Sequence, residues 1–216
     1  MEKYNKYLDA YNIQHIFLIN RESGVRVDSK DYGGMTELDE DLIAGFLQAV
    51  TTFGQELSGV ETAMENITYK GSKLLLENGQ YVNTCLLLRE QETESLKQKI
   101  ELATKEFEKK YGYHLKEWSG DVEAFKGAFD IFEKIFEINL TRPLKIDHMK
   151  LSKISKTFNK NKKQMMRALM PQIGKSFTLE KLFYIFHSSK IKLQDPELFA
   201  ELYDLIEEGV FIPTNI

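Results

Sequence analysis

The order of strand-like and helix-like segments between residues 13 and 138 constrains the fold of this chain more than any other feature. Apolar runs and apolar/polar alternation predict the strands, because side chains alternate between the two faces of a strand. The order is strand, strand, helix, three strands, helix, helix, which indicates a domain of mixed α and β structure. The predicted strands cover residues 13–20, 25–28, 66–70, 72–77 and 81–89.

Two turn signals predict how neighbouring strands are joined. Arg21-Glu22-Ser23-Gly24 follows the first strand, and Gly24 can adopt the positive φ of a tight turn. Asn78-Gly79 favours a two-residue turn before the run 81–89, which is mostly apolar and is predicted to be a central, buried strand. Cys85 lies inside that run and is interpreted as a buried, inert thiol.

The first long helix is predicted to begin after Asp39, a good N-cap residue, and to run to about Leu57. Gly45 and Gly54 each cost about 1 kcal/mol in a helix interior, and close packing of the helix on a sheet would explain them. Its apolar residues are assigned to a single stripe at the helical period. They are Leu42, Ile43, Phe46, Leu47, Val50, Phe53 and Leu57.

Two further helices are predicted before residue 140. The segment 92–111 has an apolar stripe and is expected to stop at Gly112. A helix capped by Ser119 or Asp121 is expected to continue to about Asn139, with an apolar face wide enough for burial on two sides.

The composition changes near residues 140–147, where Pro143 interrupts the chain and lysine becomes frequent. Helices are predicted beyond this point at 148–157, 161–170, 178–188 and 196–208, with one short strand at 210–212. The predicted organisation is an N-terminal helix (1–12), a central domain (13–140) and a basic helical C-terminal domain (141–216) with a winged-helix-like outline.

Composition narrows the class of protein. Hydrophobic residues make up 42% and charged residues 29% of the 216, as in soluble globular proteins. No apolar run approaches the roughly 18 residues of a membrane-spanning helix, and the first residues lack the apolar core of a signal peptide. Cys85 is the single cysteine, which excludes an internal disulfide framework. We expect the protein to lie in the cytoplasm, where it could also associate with the surface of a membrane.

Basic residues are concentrated in one stretch of a chain whose net charge is −4. Between Arg142 and Lys175 there are ten bases and one acid, Asp147. Such a stretch can contact nucleic acid, an anionic membrane or an acidic partner, or it can be a solvated helical face that binds nothing. The candidate contacts to an anionic partner are Lys153, Lys156, Lys160, Lys162, Lys163 and Arg167.

Motifs that carry chemistry are missing from the sequence. There is no phosphate-binding loop, no dinucleotide fingerprint and no Gly-x-Ser-x-Gly elbow. The four histidines, His15, His114, His148 and His187, are far apart and do not have the spacing of metal ligands. The chain is therefore predicted not to be an enzyme, with no catalytic residue, cofactor or metal site assigned.

Three stretches carry a resemblance to a known group of domains. The first is Ile16-Phe17-Leu18-Ile19 with Glu22-Ser23-Gly24-Val25, and the second is residues 41–50 followed by Phe53-Gly54. The third is residues 67–76. Together with the order of elements, they resemble the longin and roadblock group of profilin-like domains over roughly 125 residues. That resemblance implies an α+β fold, in which a five-stranded antiparallel sheet has one helix on one face and two on the other.

The resemblance also implies a role. Longin-like domains are non-catalytic interaction platforms in membrane trafficking, in adaptor complexes and in regulators of small GTPases. The implied partners are a small GTPase or another longin/roadblock-type subunit, with a homodimer as one form of assembly. Edge strands and the helix at 40–57 are the assembly surfaces that such domains use.

Two alternatives stay open. The local sequence is closer to longin domains, whereas a helix at 2–11 is more like roadblock proteins, so either subfamily fits. The second concerns function: the chain could be a nucleic-acid-binding protein that acts through its lysine-rich C-terminal domain. Residues 176–216 are acidic, which opposes a DNA-facing helix at 196–208.

Overall fold

The computed structural model describes residues 2–33, 39–58, 66–69, 72–116, 118 and 120–214. The chain divides into two compact units. One is Tyr11–Phe136, and the other combines Met1–Ala10 with Glu137–Ile216. The sequence-based division treats the first twelve residues as a separate helix, whereas most of that helix belongs to the unit that contains the C-terminal residues.

A five-stranded antiparallel sheet forms the centre of the unit Tyr11–Phe136, as the resemblance implies. The strand order is β2-β1-β5-β4-β3, and every neighbouring pair is antiparallel. The strands are β1 (Ile13–Asn20), β2 (Arg26–Asp31), β3 (Asn66–Tyr69), β4 (Ser72–Asn78) and β5 (Val82–Leu88).

Strands β1 and β5 pair with each other in the middle of the sheet, and each has a further neighbour on its other edge. All seven residues of β5 are buried, and Phe17 of β1 lies opposite Cys85 of β5. Two covered faces require apolar side chains on both sides of a strand, which explains why these two runs are nearly continuous in hydrophobicity. The prediction of a central, buried strand that contains Cys85 is confirmed.

The two predicted turns differ in outcome. The side chain of Asn20 accepts hydrogen bonds from the backbone N–H groups of Glu22 and Ser23, and Gly24 has φ +70°. A Cβ at Gly24 would lie 2.5 Å from a side-chain carbon of Gln48, so only glycine fits this turn. The turn predicted at Asn78-Gly79 lies later in the chain. Asn78 pairs with Asn83, and the backbone N–H of Gly79 donates to the carbonyl oxygen of Val82 at 2.9 Å, so Gln80 and Tyr81 form the tip.

The two faces of this sheet are covered by different helices. Helix α2 (Glu40–Ser58) packs on the face formed by Phe17, Leu76 and Cys85. Helix α3 (Glu94–Lys116) lies on the other face, where the hydroxyl of Thr104 donates to that of Thr84 at 2.8 Å. Helix α4 (Phe129–Phe136) packs on α3.

Two helix predictions need correction. Helix α3 continues past Gly112 to Lys116, because Leu115 is buried and the extra turn gains core contact. The single helix expected up to Asn139 is divided into a 3-10 turn (Glu123–Phe125), α4 and a second 3-10 turn (Ile138–Thr141). Positive φ angles at Gly127 (78°) and Glu137 (57°) interrupt it.

The second unit is mainly helical, and its four later helices lie close to the predicted positions. A three-stranded sheet of order β7-β6-β8 accompanies them, and only its last strand was predicted. The elements are β6 (Leu144–Ile146), α5 (His148–Ile154), α6 (Lys160–Leu169), β7 (Ser176–Phe177), α7 (Leu179–Ser188), α8 (Asp195–Glu207) and β8 (Phe211–Pro213).

The outline of a winged helix stays a prediction. Strands β7 and β8 flank β6, but α7 and α8 connect them in the chain, so within residues 137–214 they do not form the hairpin of a wing. Helix α8 begins and ends one residue earlier than the range 196–208 predicted from the sequence, and the cap that the sequence favours, Asp195, is instead its first residue. Gln194 is its N-cap, Pro196 lies in the first turn, and Gly209 ends it with φ +73°.

Helix α1 (Glu2–Asn12) begins in the second unit and ends in the first. Its aromatic side chains pack on α7 and α8. The ring of Tyr7 stacks on Phe199 at a centroid distance of 5.2 Å, and Tyr4 lies 5.7 Å from Phe199 and 6.4 Å from Phe183. The amine of Lys3 is 3.3 Å from a carboxylate oxygen of Asp204. These contacts place residues 2–10 in the C-terminal unit.

Candidate interaction surface

Helix α2 is held on the sheet by one side only. The Asp39 side chain accepts a hydrogen bond from the backbone N–H of Leu42 at 3.0 Å, which caps the start of the helix. Ala44 and Leu47 are buried in the same cluster as Phe17, whereas Ile43 is only partly buried beside it. The opposite side of α2 is therefore left outside the core.

This outward side is apolar. We call it the α2 outer face and define it by Leu42, Gly45, Phe46 and Ala49, which share one side because they are spaced by three and four residues. Leu42 is 71% exposed and Phe46 is 50% exposed, and the other two are also exposed. Leu42 and Phe46 therefore form an exposed apolar patch one helical turn apart, and exposed apolar patches mark protein-binding surfaces when they are large.

The α2 outer face corrects two expectations from the sequence. The predicted stripe is too wide for a single contact with the sheet, so it splits into a buried side and an exposed side. A Cβ at Gly45 would meet no atom within 4 Å, so this glycine does not serve close packing on the sheet. The side chains of Phe53 and Leu57, and the position of a Cβ at Gly54, lie outside the described part of the helix.

A polar cluster fixes the first turn of α2 to strand β2. The guanidinium of Arg26 donates to Asp41 at 2.7 Å and lies 3.2 Å from the carboxylate of Glu40. The hydroxyl of Ser29 also donates to Glu40. The hydrogen bond to Asp41 is the main cause that raises the pKa of Arg26. This network supplies a charged border at one end of the α2 outer face.

His15 lies below this network and is almost fully buried. Its ring stacks on Phe17 at 4.2 Å between centroids, and its Nε2 is 3.2 Å from a carboxylate oxygen of Glu40. The approach has the distance of an ion pair but not the direction of a good hydrogen bond. Burial lowers the pKa of His15, and the opposing charges of Glu40 and Asp31 only partly offset it.

The lowered pKa of His15 predicts a loss of stability in mild acid. The unfolded chain binds a proton at the ordinary pKa of about 6.5, whereas the buried ring binds it only at lower pH. The free energy of unfolding should therefore fall as the pH drops below about 6.5, and level off below the folded-state pKa. Arg26, Asp31 and Glu40 are the charged groups that face the ring.

Urea titrations at pH 7.5 and 5.5 would measure this effect. We expect the wild type to lose about 1 kcal/mol more than His15→Gln between the two pH values. The comparison removes the contribution of the other three histidines, which are present in both proteins. Equal losses in the two proteins would show that His15 is not held neutral by the fold.

The six basic residues predicted to contact an anionic partner are not equivalent. Lys162 is only 8% exposed, and its amine lies 2.8 Å from Glu208 and 3.7 Å from Asp204. Its position corrects the expectation for this residue, because its charge is compensated within the unit. The other five are exposed on or beside α5 and α6, and their role stays a prediction: they are Lys153, Lys156, Lys160, Lys163 and Arg167.

The metal-ligating side chains of the described residues do not come together as a metal site. No group of three or more His, Cys, Asp or Glu among them is placed to hold a metal ion. Cys85 is fully buried, and burial raises the pKa of its thiol, so the nucleophilic thiolate is disfavoured. Among the helices that the structure describes, none combines the length and the apolar character needed to cross a bilayer.

Comparisons with known proteins do not assign a family. No family model matches the chain, and no curated protein matches it. Among solved structures, it is similar to Myxococcus xanthus MglB, with 19% sequence identity and a TM-score of 0.33. The similarity covers 62% of this chain and 89% of that chain. A similarity this low does not support the assignment of a function, which therefore depends on the surfaces of the chain itself.

Proposed function

We propose that this chain is a non-catalytic protein-interaction platform of the longin/roadblock type. Its partner is a small GTPase or another longin/roadblock-type subunit, which includes a second copy of the chain. The observation that carries the proposal is the α2 outer face, where Leu42 and Phe46 are exposed on a helix whose other side is buried.

The α2 outer face has the properties of the centre of a protein interface. Complete burial of a Leu or Phe side chain contributes about 1.5–3 kcal/mol, so Leu42 and Phe46 together can stabilise a complex substantially. Gly45 between them leaves open space, which allows the backbone of a partner to approach the helix closely. Arg26, Glu40 and Asp41 form the polar rim that such interfaces have around an apolar centre.

The architecture of the unit supports the same proposal. Five antiparallel strands with α2 on one face and α3 on the other agree with the domain that the sequence resembles. The resemblance further implies that, in regulators, two such domains together hold a GTPase. The active species would accordingly contain two platform domains, and the α2 outer face is the surface that we assign to this assembly.

Affinity capture with the full chain would test the proposal. The bait is incubated with lysate of the source cell in GDP or in a GTP analogue, and small GTPases are identified by mass spectrometry. Phe46→Glu should reduce their recovery at least ten-fold, because it places a charge in the apolar centre. Tyr113→Glu is the matched control, since Tyr113 is 77% exposed on α3, away from the α2 outer face.

A second variant separates binding from stability. Gly45→Ala should raise the free energy of unfolding by about 1 kcal/mol, because alanine is the better helix former and its Cβ meets no neighbour. It should nevertheless weaken assembly, measured by sedimentation equilibrium or by GTPase capture, because the methyl group fills the space needed for close approach. Gain of stability with unchanged assembly would contradict the role given to Gly45.

Two outcomes would overturn the proposed function. The first is the absence of both a nucleotide-dependent GTPase and self-association. The second is recovery of nucleic acid that disappears at higher salt, which would favour the alternative function through the five exposed bases of α5 and α6.

A further inference from the structure

A groove of about 630 Å³ lies between α3 and α4, and the function proposed above does not use it. Its apolar floor consists of Leu102 from α3 with Ile131 and Ile135 from α4. Leu102 is 51% exposed although it is a large apolar residue, and both isoleucines are only partly buried. The floor is therefore accessible to a partner.

The packing of α4 keeps this groove open. Phe132 of α4 lies 5.8 Å from Phe107 of α3 between ring centroids, and both rings are fully buried. Glu133 of α4 pairs with Lys30 of β2, which fixes the helix from a second side. With α4 held in this way, Ile131 and Ile135 cannot turn into the core without breaking these contacts. A preformed groove spares a ligand the cost of ordering it.

The charged residues around the apolar floor include more bases than acids. Lys109, Lys110 and Lys134 line the groove, together with Glu106. Lys109 lies 3.6 Å from Glu106, but both side chains are well exposed, so this pair is weak and open to competition. The groove thus combines an apolar floor with a rim that is positive on balance, in a chain whose net charge is −4.

We propose that the α3–α4 groove binds an acidic amphipathic helix of a partner protein. Such a helix would place apolar residues, spaced by three and four positions, against Leu102, Ile131 and Ile135. Its flanking carboxylates would meet the amines of Lys109, Lys110 and Lys134. The α2 outer face and this groove lie on elements that cover opposite faces of the sheet, so the two partners could bind together.

The chemistry of the groove favours this occupant over other ligands with negative charge. A phosphate backbone would meet the lysines but would leave the apolar floor without a contact. Single-stranded nucleic acid also uses aromatic side chains for stacking, and none of the seven lining residues is aromatic. An amphipathic helix satisfies both the floor and the rim.

A display selection on the full chain would test the inference. The probe is a library of 16-residue helical peptides in which four positions on one face are apolar and the flanking positions vary between Glu, Lys and Gln. We expect enriched peptides to carry Glu at the flanks. Leu102→Glu should weaken the best binder at least ten-fold, whereas Phe46→Glu on the α2 outer face should leave its affinity unchanged.

Charge reversal distinguishes specific recognition of acidic peptides from non-specific hydrophobic binding. The triple variant Lys109→Glu, Lys110→Glu and Lys134→Glu should lose the acidic peptides at least ten-fold and gain preference for the same peptides with Lys at the flanks. Enrichment of peptides without regard to flanking charge, no enrichment, or unchanged binding to Leu102→Glu would each overturn the proposal. Because Phe46→Glu separates the two surfaces, failure of this proposal leaves the proposed function intact.

Discussion

Replacing Phe107 by alanine is expected to destabilise the unit Tyr11–Phe136 by about 3–5 kcal/mol, which is the usual cost of deleting a buried aromatic ring. Phe107 is fully buried. Its ring centroid lies 5.0 Å from Tyr111, 5.8 Å from Phe132 and 6.0 Å from Phe125. Loss of the ring removes all three contacts and leaves a cavity between α3 and α4. Neither helix can move to fill it without losing other contacts.

Trp118 provides the measurement. Its indole N–H donates to the backbone oxygen of Asp121 at 3.0 Å, and its ring lies 6.5 Å edge-on from Phe125. Its fluorescence therefore reports on the same aromatic cluster during urea unfolding. For a slope of about 1–3 kcal/mol per M, the midpoint of Phe107→Ala should fall by about 1 M or more.

Tyr113→Ala is the matched control for this prediction. Tyr113 is an aromatic residue of the same helix, but it is exposed. It should change the free energy of unfolding by about 0.5 kcal/mol or less. A loss below about 1 kcal/mol for Phe107→Ala, or equal losses in the two variants, would show that this cluster is not the core of the unit.

The sequence was sufficient to predict the strands of this unit because their burial is visible in their composition, whereas their antiparallel arrangement in one sheet was implied only by the resemblance. Strand β5 needs apolar side chains on both faces, so the run that contains Cys85 stands out. Asp39 likewise marked the start of α2 correctly, since its capping hydrogen bond depends on residues three positions apart. Predictions of this kind succeed because the determining interactions are local.

The candidate surfaces depended on information that periodicity does not contain. Leu42 and Leu47 have the same hydrophobicity, yet one is exposed and the other buried, because the sheet covers only part of the apolar arc of α2. The charge of Lys162 is neutralised by Glu208, forty-six positions later in the chain. The sequence pattern could not predict that this lysine, unlike the other five, is buried and paired.

The groove was missed for a related reason. The sequence predicted one helix up to Asn139, and that helix would have carried Ile131 and Ile135 on a continuous apolar face. The positive φ at Gly127 separates α4 from the preceding 3-10 turn, and α4 then packs on α3 by Phe132. The isoleucines are left at the edge of this contact, where only the tertiary arrangement reveals the groove.

Replacing Phe199 by alanine is expected to have an equally large effect on the C-terminal unit, again about 3–5 kcal/mol. Phe199 of α8 is fully buried, and Tyr7, Tyr4 and Tyr203 surround its ring at centroid distances of 5.2, 5.7 and 6.0 Å. Two of these neighbours belong to α1. The loss of the ring should therefore loosen the N-terminal helix as well as α7 and α8.

Amide hydrogen exchange measures this loss of stability separately for each segment of the chain. Since about 1.4 kcal/mol corresponds to a factor of ten, exchange in residues 2–10 and in α8 should accelerate by two orders of magnitude or more in Phe199→Ala. Tyr184→Ala is the matched control, because Tyr184 is an exposed aromatic of α7 and its removal should leave protection unchanged. If residues 2–10 keep their protection in Phe199→Ala while α8 loses it, α1 is not held by the aromatic cluster. The sequence-based division, with the first twelve residues as a separate helix, would then describe the chain better than the two compact units do.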